Sequence, residues 1–295
     1  MGERPNRKQV HVQLGGKLGN QMFEYAAGRA LATRLDAELT LVTQYYRPDG
    51  GPRIELDPFE LDAAVVTRWP KDPGRYRWKY LRRAAARRRD HRLGCNLPIF
   101  QEPHFHVTDR FFAIADGCYI AGYWQSWRYF DAIADRIRAD FDLGRFAGPA
   151  IADTLADIAA RPTVAVHIRR GDYVRAASTY HLCGRDYYDH ARQTLDGAGD
   201  GLRYLVFSDE PLTARALLAD WPDCTFVSGN TPFEDMLLMS RCRHYVIANS
   251  TFSWWAAWLG ATTGSRIVAS RHWFAPERHS RTDTSDLYPA DWIVL

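Results

Sequence analysis

Two apolar rhythms divide the chain. Val10–Leu14 reads as a strand, the loop GGKLGNQ follows it, and Phe23, Ala27, Ala30 and Leu31 then recur at helical spacing. A second short apolar run, Leu39–Val42, comes next, and Gly50, Gly51, Pro52 and Pro58 mark a long irregular passage after it. Cys118–Gly122 predicts a further strand, and Ile133, Ile137 and Phe141 predict an amphipathic helix that stops at Gly144. From Pro162 the alternation becomes regular. Strands are predicted at Val164–Ile168, Arg203–Phe207, Cys224–Val227, Tyr245–Ala248 and Ile267–Ala269, with helices between them at Asp186–Leu195, Pro211–Ala219, Phe233–Arg241 and Phe252–Leu259. Short apolar strands separated by helices build a parallel, doubly wound α/β sheet. The expected division is a first domain over residues 1–160 and a second over 161–295, with the last segment free to return to the first domain.

Composition adds limits. The 295 residues are 46% hydrophobic and 25% charged, which leaves room for two globular domains. A formal charge of +3 gives no basic face of the kind nucleic acid requires, so no nucleic-acid partner is expected. The basicity is local: Arg75–Arg92 carries nine Arg or Lys against the single acid Asp90, with Tyr76, Trp78, Tyr80 and Leu81 interleaved. A solvated Arg-rich helix is one reading of residues 75–92, and peripheral contact with an anionic membrane is the other. The five cysteines, Cys95, Cys118, Cys183, Cys224 and Cys242, form no CxxC pair and suggest neither a disulfide framework nor a zinc site. With no signal-peptide core and no membrane-spanning apolar run, a cytoplasmic location is expected, with membrane contact at most peripheral.

In doubly wound sheets ligands bind beyond the carboxyl ends of the strands, and those ends carry the chemistry here. One strand runs into His167, Arg169 and Arg170, and two adjacent arginines at such a place call for an anion. Another ends in Ser208, Asp209 and Glu210, and a later one in Asn249, Ser250 and Thr251. Taken alone, Ser250 or Thr251 is an ordinary N-cap; beside an arginine pair, a helix start with free N–H groups becomes half of a phosphate clamp. Asp209 and Asp235 suit the other end of a nucleotide, where a carboxylate accepts from ribose hydroxyls or from the N1 and N2 donors of guanine. The loop GGKLGNQ lacks the spacing of a dinucleotide fingerprint and the ending of a P-loop. Its glycines permit close backbone approach, with Asn20 and Gln21 projecting toward whatever lies between the domains. Two patterns are decoys. Arg170-Gly171-Asp172 follows a buried strand and is no adhesion tip, and Asp140 and Asp142 in ADFDLG sit at a solvated helix end instead of forming a metal-binding DxD.

Four segments, GGKLGNQMFEYAAGRALA at 15–32, HIRRGDY at 167–173, FSDE at 207–210 and NSTFSWWAAWLG at 249–260, together resemble the α-1,2-fucosyltransferases of glycosyltransferase family 11. Lys17 departs from the pattern by interrupting the usual GGLGNQ. The resemblance implies a GT-B architecture of two Rossmann-like domains facing a central cleft. It implies GDP-fucose as donor, inversion at the anomeric carbon, and no metal or other cofactor. The implied acceptor is a galactoside-terminated glycan or a lipid-linked oligosaccharide. It places Arg169 and Arg170 on the diphosphate, His167 near the guanine or its ribose, and Asp235 on the base. Ser250 and Thr251 fall on phosphate, with Ser208, Asp209 and Asn249 beside them, and Asn20 lines the reaction centre. The proton acceptor stays open between Asp172 and His181, with Asn20 able only to orient. Two alternatives remain: another GDP-sugar or linkage, and a non-catalytic sugar-binding protein that uses Trp254, Trp255 and Trp258 for stacking, although that helical spacing suits a core equally well.

Overall fold

The computed structural model describes residues 7–43, 54–67, 97–195 and 201–295. The basic segment 75–92 and Cys95 lie outside the described residues. The chain divides into two compact units, one running to Asp140 and including Thr284–Leu287, the other comprising Phe141–Asp283 and Tyr288–Leu295.

The first unit contains β1 (Gln9–Leu14), α1 (Leu18–Leu35), β2 (Glu38–Thr43), β3 (Ala64–Thr67), β4 (Ile99–Gln101), α2 (Asp109–Phe112), β5 (Cys118–Ala121) and α3 (Ala134–Asp140). Its five strands are parallel in the order β3-β2-β1-β5-β4. Helix α1 lies so close to β1 that a Cβ on Gly28 would come within 2.1 Å of the Val12 side chain. Asp36 ends that helix in the left-handed conformation at φ 50°, its N–H returned to the Ala32 and Thr33 carbonyls. Strands β3 and β4 were not expected. Each is an edge strand of three or four residues, too short to declare a period.

The second unit contains α4 (Ala152–Ala160), β6 (Thr163–Ile168), α5 (Gly171–Arg175), α6 (Arg185–Leu195), β7 (Arg203–Ser208), α7 (Pro211–Leu217), β8 (Cys224–Phe226), α8 (Pro232–Arg241), β9 (His244–Ile247), α9 (Thr251–Gly260), β10 (Ile267–Ala269), α10 (Pro276–His279) and β11 (Ile293–Val294). Its six parallel strands run in the order β11-β10-β9-β6-β7-β8. The central strand β6 is buried at all six positions, as a parallel strand covered on both faces must be, which is why its sequence reads as a nearly continuous apolar run.

Three expectations are corrected. The boundary falls at Asp140/Phe141 and not at 160/161, because residues 141–160 pack with the second unit: Phe141 meets Trp255 edge-on at 5.2 Å, Phe146 meets Phe233 at 4.7 Å, and α4 packs on α8. The helix expected through Ile133, Ile137 and Phe141 is broken into a 3₁₀ turn at Asp131–Ile133, α3, and a second 3₁₀ turn at Leu143–Phe146, which the Asp142 carboxylate caps by accepting from the Gly144 N–H at 2.8 Å. Trp254, Trp255 and Trp258 are core, stacked on one another and on Trp292, which removes them as a sugar-stacking surface. Among the described residues no helix is long and apolar enough to cross a membrane.

Candidate functional site

In the second sheet the chain runs from β6 outward through β7 to β8, then returns to β9 on the other side of β6 and continues outward through β10 to β11. The topological switch point therefore lies between β6 and β9. Pairing of β6 with β7 continues to Ile168↔Ser208, whereas pairing with β9 ends at Val166↔Val246. The strand ends carrying His167–Arg170 and Ala248–Thr251 thus part beyond the ladder, the place where ligands enter such sheets.

The two arginines of the β6 end differ in their surroundings. Arg169 is mostly buried and held by two carboxylates, Nη2 to Asp172 Oδ1 at 2.5 Å and Nη1 to Asp209 Oδ2 at 3.0 Å, and its guanidinium lies 5.4 Å from the centre of the Tyr173 ring. The guanidinium of Arg170 pairs with no carboxylate among the described residues; its backbone N–H donates to Asp209 Oδ1 at 2.9 Å. Each oxygen of Asp209 thus accepts from the strand end. Gly171 makes that arrangement possible, since a Cβ there would lie 2.6 Å from Asp209 Oδ2. The carboxylate of Asp172 is likewise committed to Arg169. His167 is buried against Phe252, its Nδ1 lacks a partner, and burial followed by the nearby Arg169 charge pushes its pKa down to about 3. It is a neutral imidazole.

At the β9 end, Ser250 is the N-cap of α9 but makes no side-chain capping bond, so its hydroxyl is not spent on its own helix; Thr251 is the first helical residue. The helix start carries the positive end of the dipole toward the switch point. Asn249, one residue before the helix cap, ties neighbouring segments together. Its Nδ2 donates to the His181 carbonyl at 2.9 Å and the Trp273 carbonyl at 2.8 Å, and its Oδ1 accepts from the Cys183 thiol at 3.6 Å. The amide is used up in joining three segments. His181 is half-buried beside His272, their rings 5.2 Å apart, and burial, then the charges of His272 and His279, lower its pKa. Ser208 accepts the Glu210 N–H at 3.0 Å in a local turn. Asp235 sits in the first turn of α8, one oxygen accepting from Asn230 Nδ2 at 2.9 Å, and burial raises its pKa.

Asn20 belongs to the first unit, in the first turn of α1. Its Oδ1 accepts from Gln125 Nε2 at 2.9 Å, and it crowds Gly16, which turns at φ 70° and where a Cβ would come within 2.3 Å of Asn20 Nδ2. Gln21 does not project outward as expected. It is buried, with Nε2 facing the Gly16 carbonyl and Oε1 accepting from the Glu55 N–H at 2.8 Å. Asp140 and Asp142 are engaged locally, Asp140 by Tyr25 and Arg136 at 2.7 Å each.

Sequence reasoning gave no part to Tyr173, Gly171, Asn230 or Gln125, although all but Gln125 stand within or near the motifs it singled out. Tyr173 and Gln125 reach residues remote in sequence, Gly171 acts through its missing Cβ, and Asn230 holds the nearby Asp235; residue type alone signals none of these contacts.

Residues 92–295 match the model of Glycosyl transferase family 11. The chain is 30% identical over 297 residues to an Escherichia coli alpha-1,2-colitosyltransferase, covering 97% of this chain and 98% of that protein. It is 30% identical over 317 residues to the Escherichia coli O-antigen biosynthesis glycosyltransferase WbnK, covering 96% and 99%. A mouse galactoside 2-alpha-L-fucosyltransferase, Sec1, is 25% identical over 307 residues, covering 99% of this chain and 75% of its own. Among solved structures, a glycosyl transferase family 9 protein from Veillonella parvula superimposes with a TM-score of 0.50 over 98% of this chain and 86% of its own at 11% identity, a likeness of fold, here the α/β GT-B type.

Proposed function

The chain belongs to glycosyl transferase family 11 and is a glycosyltransferase, and on that premise we propose that it moves L-fucose from GDP-β-L-fucose to the 2-hydroxyl of a terminal galactoside. The observation that carries the donor half is the Arg170 guanidinium, which pairs with no carboxylate among the described residues, at a sheet switch point beside a helix start whose N-cap hydroxyl makes no capping bond. The α-1,2 linkage follows the activities for which both relatives are named, and the choice of fucose follows the mouse enzyme.

Breaking the C1–O bond of the donor leaves negative charge on the diphosphate and an oxocarbenium-like sugar. Fixed cations and helix-start donors at the phosphates stabilise that transition state more than the ground state. Arg170, Arg169, Ser250 and Thr251 supply them without a metal ion. Activity should persist in EDTA; loss restored by manganese or magnesium would overturn this part. The acceptor hydroxyl attacks the opposite face, inverting the centre. Of the two titratable candidates, Asp172 is engaged by Arg169, whereas His181 is held toward its neutral form, the form that can accept a proton, and we assign it that role. Asp235 accepts from guanine with the oxygen that Asn230 leaves open.

A second reading changes only the sugar, since one relative's name specifies colitose. A panel of GDP-sugars against terminal galactosides, with the product linkage determined, separates the two. Turnover of GDP-fucose to a 2-linked product supports the proposal, and selective use of another GDP-sugar overturns it. The basic segment 75–92 motivates a further element, contact with anionic membrane near a lipid-linked acceptor. Vesicle co-sedimentation that ignores anionic lipid content would remove it.

A further inference from the structure

The two halves of the donor site stand on strand ends that no backbone ladder joins, since β6 and β9 pair only as far as Val166↔Val246. Something must hold Arg169 and the start of α9 at a fixed spacing, because a diphosphate bridging them tolerates little change in that distance. Helix α6 ties the two strands from one side, the Tyr188 hydroxyl donating to the His167 carbonyl at 3.1 Å and the Tyr187 hydroxyl to the Ile247 carbonyl at 2.6 Å, and a single side chain of α5 spans the gap beyond them. Tyr173, the third residue of α5, donates its hydroxyl to the Asn249 carbonyl at 2.9 Å, one residue before the Ser250 N-cap. The same ring lies under the Arg169 guanidinium at 5.4 Å. It is locked in turn by parallel stacking on Tyr180 at 4.4 Å and 11°, and Tyr180 stacks on Phe274 and bridges to it through the backbone. A cation over an aromatic face and a hydroxyl on a buried carbonyl are independent restraints, and in Tyr173 they meet on one rigid group.

We infer that Tyr173 is a positioning residue that sets the span between the arginine end of β6 and the start of α9, and thereby tunes affinity for the diphosphate of a nucleoside diphosphate. The inference rests on the donor-site reading above. Tyr173 touches no phosphate itself; it acts through Arg169 and the Asn249–Ser250 turn. Its effect therefore falls on ligands that reach both halves and spares those that contact the base alone.

The experiment compares wild type, Tyr173→Phe and Tyr173→Leu for GDP by calorimetry and for guanosine by ligand-observed NMR, with thermal unfolding on the same samples. Phe keeps the ring under Arg169 and loses only the bond to Asn249, so GDP should bind about five- to tenfold more weakly, the scale of one hydrogen bond, with guanosine unchanged. Leu removes both restraints and should weaken GDP further. In turnover, the donor KM should rise while the acceptor KM holds. A folded Phe variant that binds GDP like wild type overturns the inference, and so does equal loss for GDP and guanosine. If wild type binds guanosine but gains nothing from the diphosphate, the donor-site reading itself has failed, a result distinct from either of these.

Discussion

At the scale of single residues, the adjacent arginines differ in what holds them: both serve the diphosphate in the proposed site, and Arg169 is a strut as well. Arg169 neutralises Asp172 and Asp209, whose side chains are 39% and 25% exposed, while Arg170 has no such partner among the described residues. Arg170→Ala should stay folded and lose about a hundredfold or more in rate, the effect of deleting one transition-state donor. Arg170→Lys should recover only part, because a point charge does not reproduce a bidentate fork. Arg169→Ala should lose rate and also about 2 kcal/mol of stability, since two carboxylates lose a charged partner. Turnover per folded molecule alongside thermal unfolding checks the split, and equal loss of stability in both variants would refute it. A second expectation concerns pH. Burial raises the Asp235 pKa, so the carboxylate takes up its proton at a higher pH than an ordinary aspartate and stops accepting from guanine there. GDP affinity should fall on acidification earlier than in Asp235→Asn, whose affinity is weaker but flat over the same range; calorimetry across pH tests it. The arginines, the acids and the helix cap were legible as chemical types at strand ends. Their pairing was not, because Asp209 lies 39 residues from Arg170 and meets it only when β6 and β7 pair in register.

Elements of the second unit were legible where a strand is central. The apolar run of β6 is the direct consequence of burial on both faces, and β7, β9 and β10 follow the same rule. Among thinly buried elements β8 was legible, but others escaped for the converse reason. The two residues of β11 hold no period, and α4, ADTLADIAA, buries only Ile158, so its pattern is too thin to mark a helix. Interhelical fit was also invisible. A Cβ on Gly260 would fall 2.1 Å from the Ser240 carbonyl and 2.4 Å from the Tyr245 hydroxyl, which itself donates to the Cys242 carbonyl at 2.9 Å. Backbone cannot yield as a side-chain tip does. Gly260→Ala should therefore force α9 away from α8 and cost about 1–3 kcal/mol, the usual range for overpacking. Thermal unfolding measures it, and an unchanged midpoint would mean that the two helices slide apart freely. GDP affinity per folded molecule should hold, because Gly260 is at the opposite end of α9 from Ser250.

For the molecule as a whole, the C-terminal stretch is the instructive part, because residues distant from the first unit in sequence are built into it. Thr284–Leu287 belongs to the first unit while Tyr288–Leu295, with β11, belongs to the second. Asp286 carries that attachment. It is 9% exposed, and its Oδ2 accepts from the Val107 N–H at 2.6 Å and from the fully buried Ser126 hydroxyl at 3.0 Å. Asp286→Ala leaves the Val107 N–H without its acceptor and Ser126 with only the Asp286 carbonyl, at 3.1 Å. An unsatisfied buried donor costs about 1–3 kcal/mol. That loss should fall on the first unit alone. Hydrogen exchange should quicken at residues 102–108 and 122–129 while amides of β6, β9 and α9 keep their protection, since proteins open in separate cooperative units. The control is Trp292→Ala, which removes a ring packed at 5.5 Å on Trp254 and at 5.7 Å on Tyr288, all within the second unit, and should reverse the pattern. If both substitutions loosen the same amides, the C-terminal stretch does not divide between two units, and the boundary at Asp140/Phe141 loses its physical meaning.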